Sequence, residues 1–480
     1  MPRLPGFVGP SYTLSTVTLD CQRTINLYPE VDELQTGKDN SIGALVCRPD
    51  LTRVCLLPQS PVRGMWRCPA TGEVFAVGGN GLYQIFSDWS TKYMGRLKTE
   101  SGAVSMSDNG QQLIVVDGEF GYIIQLDNKY FQQITSPNFY SSSKVIFLDG
   151  YFLLARPDTG QVYRSELYDG LTYQPLNFAT AEASPDNVVT LMPYRNQLFI
   201  FGSRTTEPYY DSGDAGLAFA RVQGALIEHG CAASLSPAKD GELLYWLGEN
   251  EYGNGIVLRT VGYQATRASN YGVELAIQGY GTISDAVGFI FQMRGHAFYV
   301  LNFTGAGTTW VLDTAMGQWV EWQSVAKDGS QGRWRANCHV FAFGQHIVGD
   351  FEDGRIYTLG FSSRQDDGNY IMRRRRSPHV STNLKRAIHS KFQLDFRAGV
   401  GTDGTSQGQD PQVMLRYSDD GGISWSSEKW RPLSRIGNTL GRAIWRMLGV
   451  SRNRVYEVTV TDPVDVAIVG ADLDVTPCGS

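Results

Sequence analysis

Short apolar runs separated by polar turn residues make up most of the chain, and long helical periodicity is almost absent. Segments 72–86 and 110–126 are typical, since each contains short stretches rich in Val, Ile, Tyr and Phe. Such stretches predict β-strands. The dipeptides between strands, of Asp-Gly, Asn-Gly and Gly-Gly type, suit two-residue hairpin turns because glycine tolerates a positive φ. The pattern therefore predicts an all-β protein.

Similar short apolar segments, each at the start of a repeat unit, recur along the first three quarters of the chain. They begin at residues 61, 102, 142, 187, 233, 284 and 335, so the intervals are 41, 40, 45, 46, 51 and 51 residues. A period of this length with several strands per unit is typical of a β-propeller blade, because a small sheet buries its faces only by stacking on its neighbours. We predict a propeller of about seven blades, with six or eight as alternatives and an array of β-sandwiches as the competing fold.

Two segments depart from this repeat. Residues 267–280 have helical spacing, with Ser269 or Asn270 as the predicted N-cap. The strands after about residue 380 are longer and predict a small C-terminal antiparallel β-sandwich. The predicted domains are an N-terminal arm with a blade-closing strand (1–60), the propeller (61–380) and the sandwich (381–480).

Composition narrows the class of protein. Of the 480 residues, 42% are hydrophobic and 19% are charged, which is too apolar for a disordered chain. No run approaches the ~18 apolar residues of a membrane-spanning helix, so we expect no membrane insertion. The seven cysteines are scattered and contain no Cys-x-x-Cys pair, so we expect mostly buried thiols in a reducing compartment, without a metal or other cofactor.

The net charge of −6 hides two regions of opposite sign. Residues 371–480 contain 16 Lys/Arg and 11 Asp/Glu, a balance of +5, which leaves −11 for residues 1–370. Within 371–397, eight basic residues face one acid, Asp395. This local excess indicates either a contact with an acidic partner, a neighbouring subunit or DNA phosphates, or a solvated strand at a domain junction.

The candidate interface residues are Arg373, Arg374, Arg375, Arg376, Lys385 and Arg386. No aromatic residue interleaves the four consecutive arginines, which argues against a stacking platform for single-stranded nucleic acid. If they join subunits or bind a partner, neutralising Arg373–Arg376 is expected to block assembly while leaving the fold intact.

No combination of residues predicts an enzyme. The sequence has neither a His-Glu-x-x-His zinc motif nor a Walker phosphate loop. His339 and His346 are predicted in neighbouring strands and could meet, but structural histidines are the favoured interpretation over metal ligands. One Asp-box pattern occurs, and we interpret it as a structural turn. Its residues are Ser418, Asp420, Gly422 and Trp425.

Several segments together resemble one protein family, the packaged-DNA stabilisation or tail accessory (nozzle, head-completion) proteins of short-tailed bacteriophages. The similar segments are 20–30, 47–54, 241–269, 295–324, 415–426 and 441–473. The resemblance implies a homo-oligomer, typically a hexamer, that forms a ring in the virion tail below the portal and adaptor. It also implies assembly in the host cytoplasm, retention of packaged double-stranded DNA, and a platform for tail needle or fibres. The family brings no catalytic residues.

The acidic propeller fits this expectation, since like charge limits adhesion of DNA to a channel wall and argues against tight or sequence-specific binding. Two other functions stay open on the sequence. A carbohydrate-active, sialidase-like propeller enzyme is suggested by the Asp box and the many Trp and Tyr residues. The second open function is that of a monomeric propeller that serves as a protein-interaction module.

Overall fold

The structure is a computed structural model that describes residues 2–31, 43–181, 186–213, 218–250, 253–383, 385–402, 407–438 and 441–478. Nearly all of the regular structure is β-strand, as expected from the short apolar runs. In the part of the chain described, the one α-helix has eight residues, and no helix has the length and apolar character needed to span a membrane.

Five strands precede the first blade and are used in three different places. They are β1 (Tyr12–Thr13), β2 (Cys21–Ile25), β3 (Leu27–Val31), β4 (Gly43–Cys47) and β5 (Asp50–Leu56).

The first four blades are regular four-stranded antiparallel sheets. The first blade contains β6 (Val62–Arg67), β7 (Val74–Gly78), β8 (Gly81–Ile85) and β9 (Thr91–Arg96), and the second contains β10 (Ser105–Asp108), β11 (Gln112–Val116), β12 (Gly121–Gln125) and β13 (Phe131–Gln133). The third blade contains β14 (Val145–Leu148), β15 (Tyr151–Ala155), β16 (Gln161–Glu166) and β17 (Asp169–Thr180), and the fourth contains β18 (Val188–Tyr194), β19 (Gln197–Gly202), β20 (Thr206–Asp211) and β21 (Phe219–Arg221).

The last three blades are less regular, and the helix lies between the fifth and the sixth. The fifth blade contains β22 (Gly230–Cys231), β23 (Ala238–Asp240), β24 (Leu243–Asn250), β25 (Gly253–Val261) and β26 (Gln264–Arg267), and it is followed by the helix α1 (Tyr271–Gln278). The sixth blade contains β27 (Ala286–Met293), β28 (His296–Phe303), β29 (Thr308–Asp313) and β30 (Gln318–Glu321), and it is followed by the hairpin of β31 (Gln323–Val325) and β32 (Gln331–Arg333). The seventh blade contains β33 (Ala336–Ala342), β34 (Gln345–Asp350), β35 (Arg355–Gly360), β36 (Gln365–Asp366) and β37 (Asn369–Tyr370).

Seven blades therefore surround one axis, and the prediction of a propeller of about seven blades is confirmed. Hydrophobic clusters fill the spaces between successive sheets, which is how radial stacking buries sheets too small to be stable alone. The helix predicted within 267–280 is also present. Its N-cap is Asn270, whose side chain accepts a hydrogen bond from the Val273 N–H at 3.0 Å.

The seventh blade is completed by a strand from the other end of the chain. β5 pairs antiparallel with β35 over Asp50–Leu56, so the fourth strand of the last blade precedes the first blade in sequence. Leu51 of β5 is fully buried in the core that this blade shares with the sixth. Because β5 leads directly into the first blade, this pairing connects the last blade to the first and closes the propeller into a ring.

The remaining strands form a two-sheet sandwich. They are β38 (Arg373–Arg376), β39 (Val380–Ser381), β40 (Ala387–Phe396), β41 (Gln412–Ser418), β42 (Lys429–Pro432), β43 (Ala443–Arg446), β44 (Val450–Ser451), β45 (Asn453–Val460) and β46 (Ala467–Pro477).

The sheets of the sandwich cross the predicted domain boundaries. One sheet has the order β3-β4-β46-β40-β43, so two strands from the N-terminal arm belong to it. The other contains β2, β38, β45, β41 and β42 in that order. The apolar core between the sheets includes Phe7 and Leu27 together with Phe392 and Trp445. The sandwich is thus built from both ends of the chain, with the propeller inserted between them.

Replacing Leu51 with alanine should lower the free energy of unfolding by about 2–5 kcal/mol, because it leaves a cavity under the closing strand. Leu56→Ala on the same strand is the matched control. Leu56 is 59% exposed, so its replacement should change the stability by about 0.5 kcal/mol or less. Urea unfolding measures both, and equal effects of the two substitutions would contradict a closing role for β5.

Candidate functional site at the junction of propeller and sandwich

One continuous sheet of eleven strands joins the sixth blade to the sandwich. β30 of the blade pairs in parallel with β2 at Glu321 and Ile25. β2 pairs antiparallel with β38, and β38 pairs antiparallel with β45. The two domains are therefore joined within one sheet by the contact of β30 with β2, and β2 is held on its other side by β38.

The four consecutive arginines occupy β38, where successive side chains point to opposite faces. Arg373 and Arg375 lie on one face and are 1% and 0% exposed. Arg374 and Arg376 lie on the other face and are partly exposed. The period of two in the strand thus divides one charge run into two different environments.

Arg375 uses all five of its donors within the chain. Its Nε donates to the Phe7 carbonyl at 2.6 Å, and its two Nη groups donate to the carbonyls of Gly6 and Pro10 at 2.7 and 2.9 Å. The Nη groups also donate to Thr24 Oγ1 and Gln22 Oε1 at 2.9 and 2.6 Å. Burial lowers the pKa of Arg375 to about 9. This guanidinium holds the N-terminal segment against β2 and β38.

Arg374 and Arg376 face a carboxylate buried in the neighbouring strand β45. Glu457 is 0% exposed and forms ion pairs with Arg374 at 3.3 Å, with Arg376 at 2.9 Å and with Arg416 at 2.5 Å. Burial lowers the pKa of Arg374, Glu457 raises it, and the other nearby guanidiniums lower it again. One carboxylate therefore serves three arginines, and positive charge remains in excess.

A second acid joins this group from the propeller side. Arg23 of β2 donates its Nε to Glu321 Oε1 at 2.9 Å, and its Nη2 pairs with the other carboxylate oxygen. Because Glu321 ends β30 of the sixth blade, this ion pair crosses the junction. We define the arginine cluster as Arg23, Arg374, Arg376 and Arg416 together with Glu321 and Glu457.

The Asp-box residues form a tight turn beside the cluster. Asp420 accepts hydrogen bonds from the Ser418 hydroxyl at 2.6 Å and from the Ser424 N–H at 2.9 Å. Gly422 has a φ of +97°, a conformation that favours glycine. Trp425 donates its indole N–H to the Gly422 carbonyl at 3.1 Å. The turn presents Trp425 to the arginine cluster.

Two guanidiniums of the cluster lie close to the Trp425 ring. The Cζ atoms of Arg376 and Arg416 are 4.7 and 4.8 Å from the ring centroid, within the range of cation–π attraction. The neighbouring Asp419 forms a two-pronged ion pair with buried Arg454 at 2.6 and 2.8 Å. Both carboxylates of the box are therefore engaged within the chain.

These contacts correct the prediction that all four consecutive arginines are contact residues. Arg373 and Arg375 are internal, because their donors are directed to backbone carbonyls such as those of Asp462 and Phe7. The alternative of a solvated strand does not describe them either. Neutralising the run would thus disturb the fold and could not test assembly alone. Lys385 and Arg386 are exposed, and their role as contact residues stays a prediction.

The partners of the arginines were absent from the sequence-based prediction. Glu457 lies inside the apolar segment 453–460, and an acid in the centre of a buried strand indicates a buried ion pair. Arg416 and Arg23 gave no comparable signal, because single charged residues in strands are usually solvent-facing. Their grouping depends on the pairing of β2 with β38, two strands that are about 350 residues apart in the chain.

The propeller axis contains two connected recesses of about 450 and 430 Å³. Both are lined by Arg63 and by residues of the innermost strands or the turns that precede them. Arg63 is buried and donates to the carbonyls of Gly79, Thr99 and Ser101. Volumes of this order suit small molecules or single side chains. They are far too small to admit a DNA duplex.

The two histidines singled out in the sequence do meet. His339 Nε2 and His346 Nδ1 are 3.0 Å apart within an aromatic cluster that includes Phe291. Burial lowers the pKa of His339 to about 3. Among the described residues, no group of three or more His, Cys, Asp or Glu side chains is arranged to hold a metal ion. All seven cysteines are free, and four of them are buried.

Two family models match the chain in succession. The model described as the β-propeller of bacteriophage P22 Gp10 matches residues 22–364, and the model described as its β-sandwich matches residues 372–476. No curated protein sequence matches the chain.

Three solved propellers are similar in outline. The WD40 β-propeller domain of Doa1 is 10% identical, with 64% of this chain and 96% of that chain covered and a TM-score of 0.39. The N-terminal domain of Nup159 is 10% identical over 70% and 98%, with a TM-score of 0.41. YCF48 bound to D1 peptide is 12% identical over 65% and 95%, with a TM-score of 0.38. TM-scores below 0.5 add nothing to the assignment of function.

Replacing Arg375 with methionine should lower the free energy of unfolding by at least about 3 kcal/mol, because each buried acceptor left without a donor costs about 1–3 kcal/mol. Arg386→Met, at an exposed position eleven residues further on, should have little effect. Urea unfolding followed by tryptophan fluorescence compares the two variants. If both unfold at the wild-type denaturant concentration, the Arg375 contacts do not stabilise the junction.

Proposed function

The chain belongs to the family of bacteriophage P22 Gp10, and from this membership we propose that it is a non-enzymatic tail nozzle protein that retains packaged DNA. Several copies, six in our proposal, form a ring below the portal and its adaptor. The ring closes the DNA exit channel after packaging and provides a platform for the tail needle or fibres. The protein is assembled into the virion in the host cytoplasm.

The observation that carries the proposal is the match to both domains of the family, in order, over most of the chain. A propeller alone supports many unrelated functions, so its fold is weak support for any one of them. A propeller followed by this particular sandwich is a far more specific combination.

The junction provides the stiffness that such a ring requires. The eleven-stranded sheet links propeller and sandwich where β30 contacts β2, and the Asn26 N–H donates to the Glu321 carbonyl there at 2.9 Å, which restrains independent rotation of the two domains. In a ring that holds DNA under pressure, a subunit with a flexible linker would yield at that linker. The ion pair between Arg23 and Glu321 adds a side-chain contact across the same boundary.

DNA would pass between copies of the chain, because the recesses along the propeller axis hold only about 450 and 430 Å³. A channel wide enough for a duplex therefore needs several subunits. The net charge of −11 over residues 1–370 keeps DNA phosphates from adhering to the wall, which favours release during ejection.

The carbohydrate-active alternative loses its main support in the geometry of the Asp box. Glycosidases require two carboxyl groups that flank a bond of the substrate. Here Asp420 is held by the donors of its own turn, and Asp419 is paired with Arg454. The box therefore acts as a structural turn that positions Trp425.

Particles made without this protein should package DNA and then lose it. The expected result is a particle whose genome is released or becomes sensitive to added nuclease, because nothing closes the exit channel. Cryo-electron microscopy of complete particles should reveal several copies in a ring on the portal axis. A monomer located away from that axis, or normal retention of DNA in its absence, would refute the proposal.

Reversing the charge of Lys385 and Arg386 should reduce incorporation of the protein into particles, if these exposed residues contact the adaptor or a neighbouring subunit. The double variant Lys385→Glu with Arg386→Glu should unfold at the wild-type temperature, because surface charges contribute little to stability. Lys92→Glu with Arg96→Glu, at exposed positions on the first blade, is the matched control. Quantitative analysis of purified particles gives the number of copies, and equal incorporation of both variants would exclude the interface.

A further inference from the structure

A cleft of about 400 Å³ lies between the Asp-box turn and the sixth blade. Arg23 and Arg376 of the arginine cluster face it, and so does the carboxylate of Glu321. Helix α1 contributes Gly272 and Ala276 to one wall, and β29 contributes Thr308 and Trp310. The cleft is thus formed by the propeller, the helix and the sandwich together.

The polar groups of the cleft are donors for the most part. The side chains of Arg23 and Arg376 are 30% and 13% exposed, so their guanidiniums are reachable from solvent. Arg376 directs Nε and Nη2 to Glu457, while its Nη1 lies near Gly422 at the cleft wall. Because Arg23 and Arg376 both line the cleft, part of each guanidinium is accessible to a ligand there.

The charge of the arginine cluster is not balanced. Its four guanidiniums face two carboxylates, Glu321 and Glu457, which leaves two positive charges. Their mutual repulsion is part of what lowers the pKa of Arg374. An added carboxylate would relieve this repulsion, and charge-assisted hydrogen bonds to arginine are among the strongest that side chains form.

Other acids near the cleft are engaged in their own contacts. Asp20 accepts hydrogen bonds from the backbone and side chain of Gln22 at 3.1 and 2.9 Å. Asp419 is paired with Arg454, and Asp420 is held within its turn. None of these three is a partner of Arg23 or Arg376 among the described ion pairs.

We propose that this cleft binds carboxylate side chains from an acidic segment of a partner protein. The segment would place one carboxylate between Arg23 and Arg376, which both line the cleft. Ile423 of the cleft wall is 75% exposed, and Leu19, which lies in sequence between the lining residues Val17 and Cys21, is 69% exposed. Both would contact the apolar parts of the segment. The proposal goes beyond the function proposed above, because the chemistry of the ligand follows from the cleft alone.

Protein is favoured over DNA as the occupant for two physical reasons. A recess of about 400 Å³ accepts one or two side chains but excludes the backbone of a rigid duplex. The exposed apolar side chains of Leu19 and Ile423 would find no apolar partner on a DNA backbone. Against a protein they can be buried in the apolar core of the interface.

Titration calorimetry of the intact protein with a capped hexaglutamate peptide tests the proposal. At low ionic strength the peptide should bind saturably with one site per chain, and the affinity should fall as salt is added. Capped hexaglutamine should not bind. Ile423→Asp should weaken hexaglutamate binding by about tenfold or more, because it places a like charge at the mouth of the cleft. Arg23→Gln should also weaken binding, since it removes a donor.

Ile436→Asp is the matched control, because Ile436 is 56% exposed on the same domain and lies outside the cleft. It should bind hexaglutamate as the wild type does, and thermal unfolding verifies that both aspartate variants are folded. Absence of saturable binding, or equal affinity of the Ile423→Asp variant and the wild type, would overturn the proposal. A short DNA duplex can be tested in the same way. If the duplex binds the wild type more tightly than hexaglutamate does, and the Ile423→Asp variant binds the duplex more weakly, the choice of protein as the occupant is overturned.

Discussion

The pairing of β2 with β38 is the interaction on which the arrangement of the whole molecule depends. Both strands belong to the sandwich sheet that continues into the sixth blade, where β2 pairs with β30 at Ile25 and Glu321. The pairing with β38 therefore holds in the sandwich the strand that contacts the blade. Arg375 secures the same place with its side chain, because its donors reach carbonyls of the N-terminal segment as well as Thr24 of β2. A buried guanidinium is expensive to desolvate, and here five acceptors, none of them a carboxylate, offset that cost.

Strand β38 also affects how the charge difference between residues 1–370 and 371–480 is interpreted. The +5 of residues 371–480 includes Arg373 and Arg375, which are buried, and Arg374 and Arg376, which are largely engaged with Glu457. Much of the basic excess is therefore internal, and the surface of the sandwich is less basic than its composition indicates. The −11 of residues 1–370 has no comparable internal cause, since most of the propeller's acids lie in turns and strand ends where they remain near solvent.

The blades could be predicted because their strands pair with neighbours in sequence, so that turns and apolar runs recur with a visible period. The sandwich was only half predictable. Its C-terminal strands have the same local signals, but β3 and β4 join it through β46, more than 400 residues later in the chain. No local pattern records such a partner. The prediction that Arg373–Arg376 are all contact residues was wrong for a related reason. Arginine is usually exposed, and only its alternation along a strand beside Glu457 reveals two buried members.

The use of both chain ends in one domain has a consequence for assembly. The core of the sandwich needs Phe7 and Leu27 as well as Phe392 and Trp445, so it cannot form until the last strands have been synthesised. The propeller closes earlier, because β5 and β35 are both available by residue 360. Domains generally fold as units during synthesis from the N-terminus. The junction, with β2 held between β30 and β38, is therefore completed only in a full-length chain. A surface built across that junction, such as the cleft beside the arginine cluster, forms only after the propeller, because it needs Arg376 and the Asp-box turn as well as Arg23. A partner that recognises it therefore binds only subunits in which the sandwich has folded.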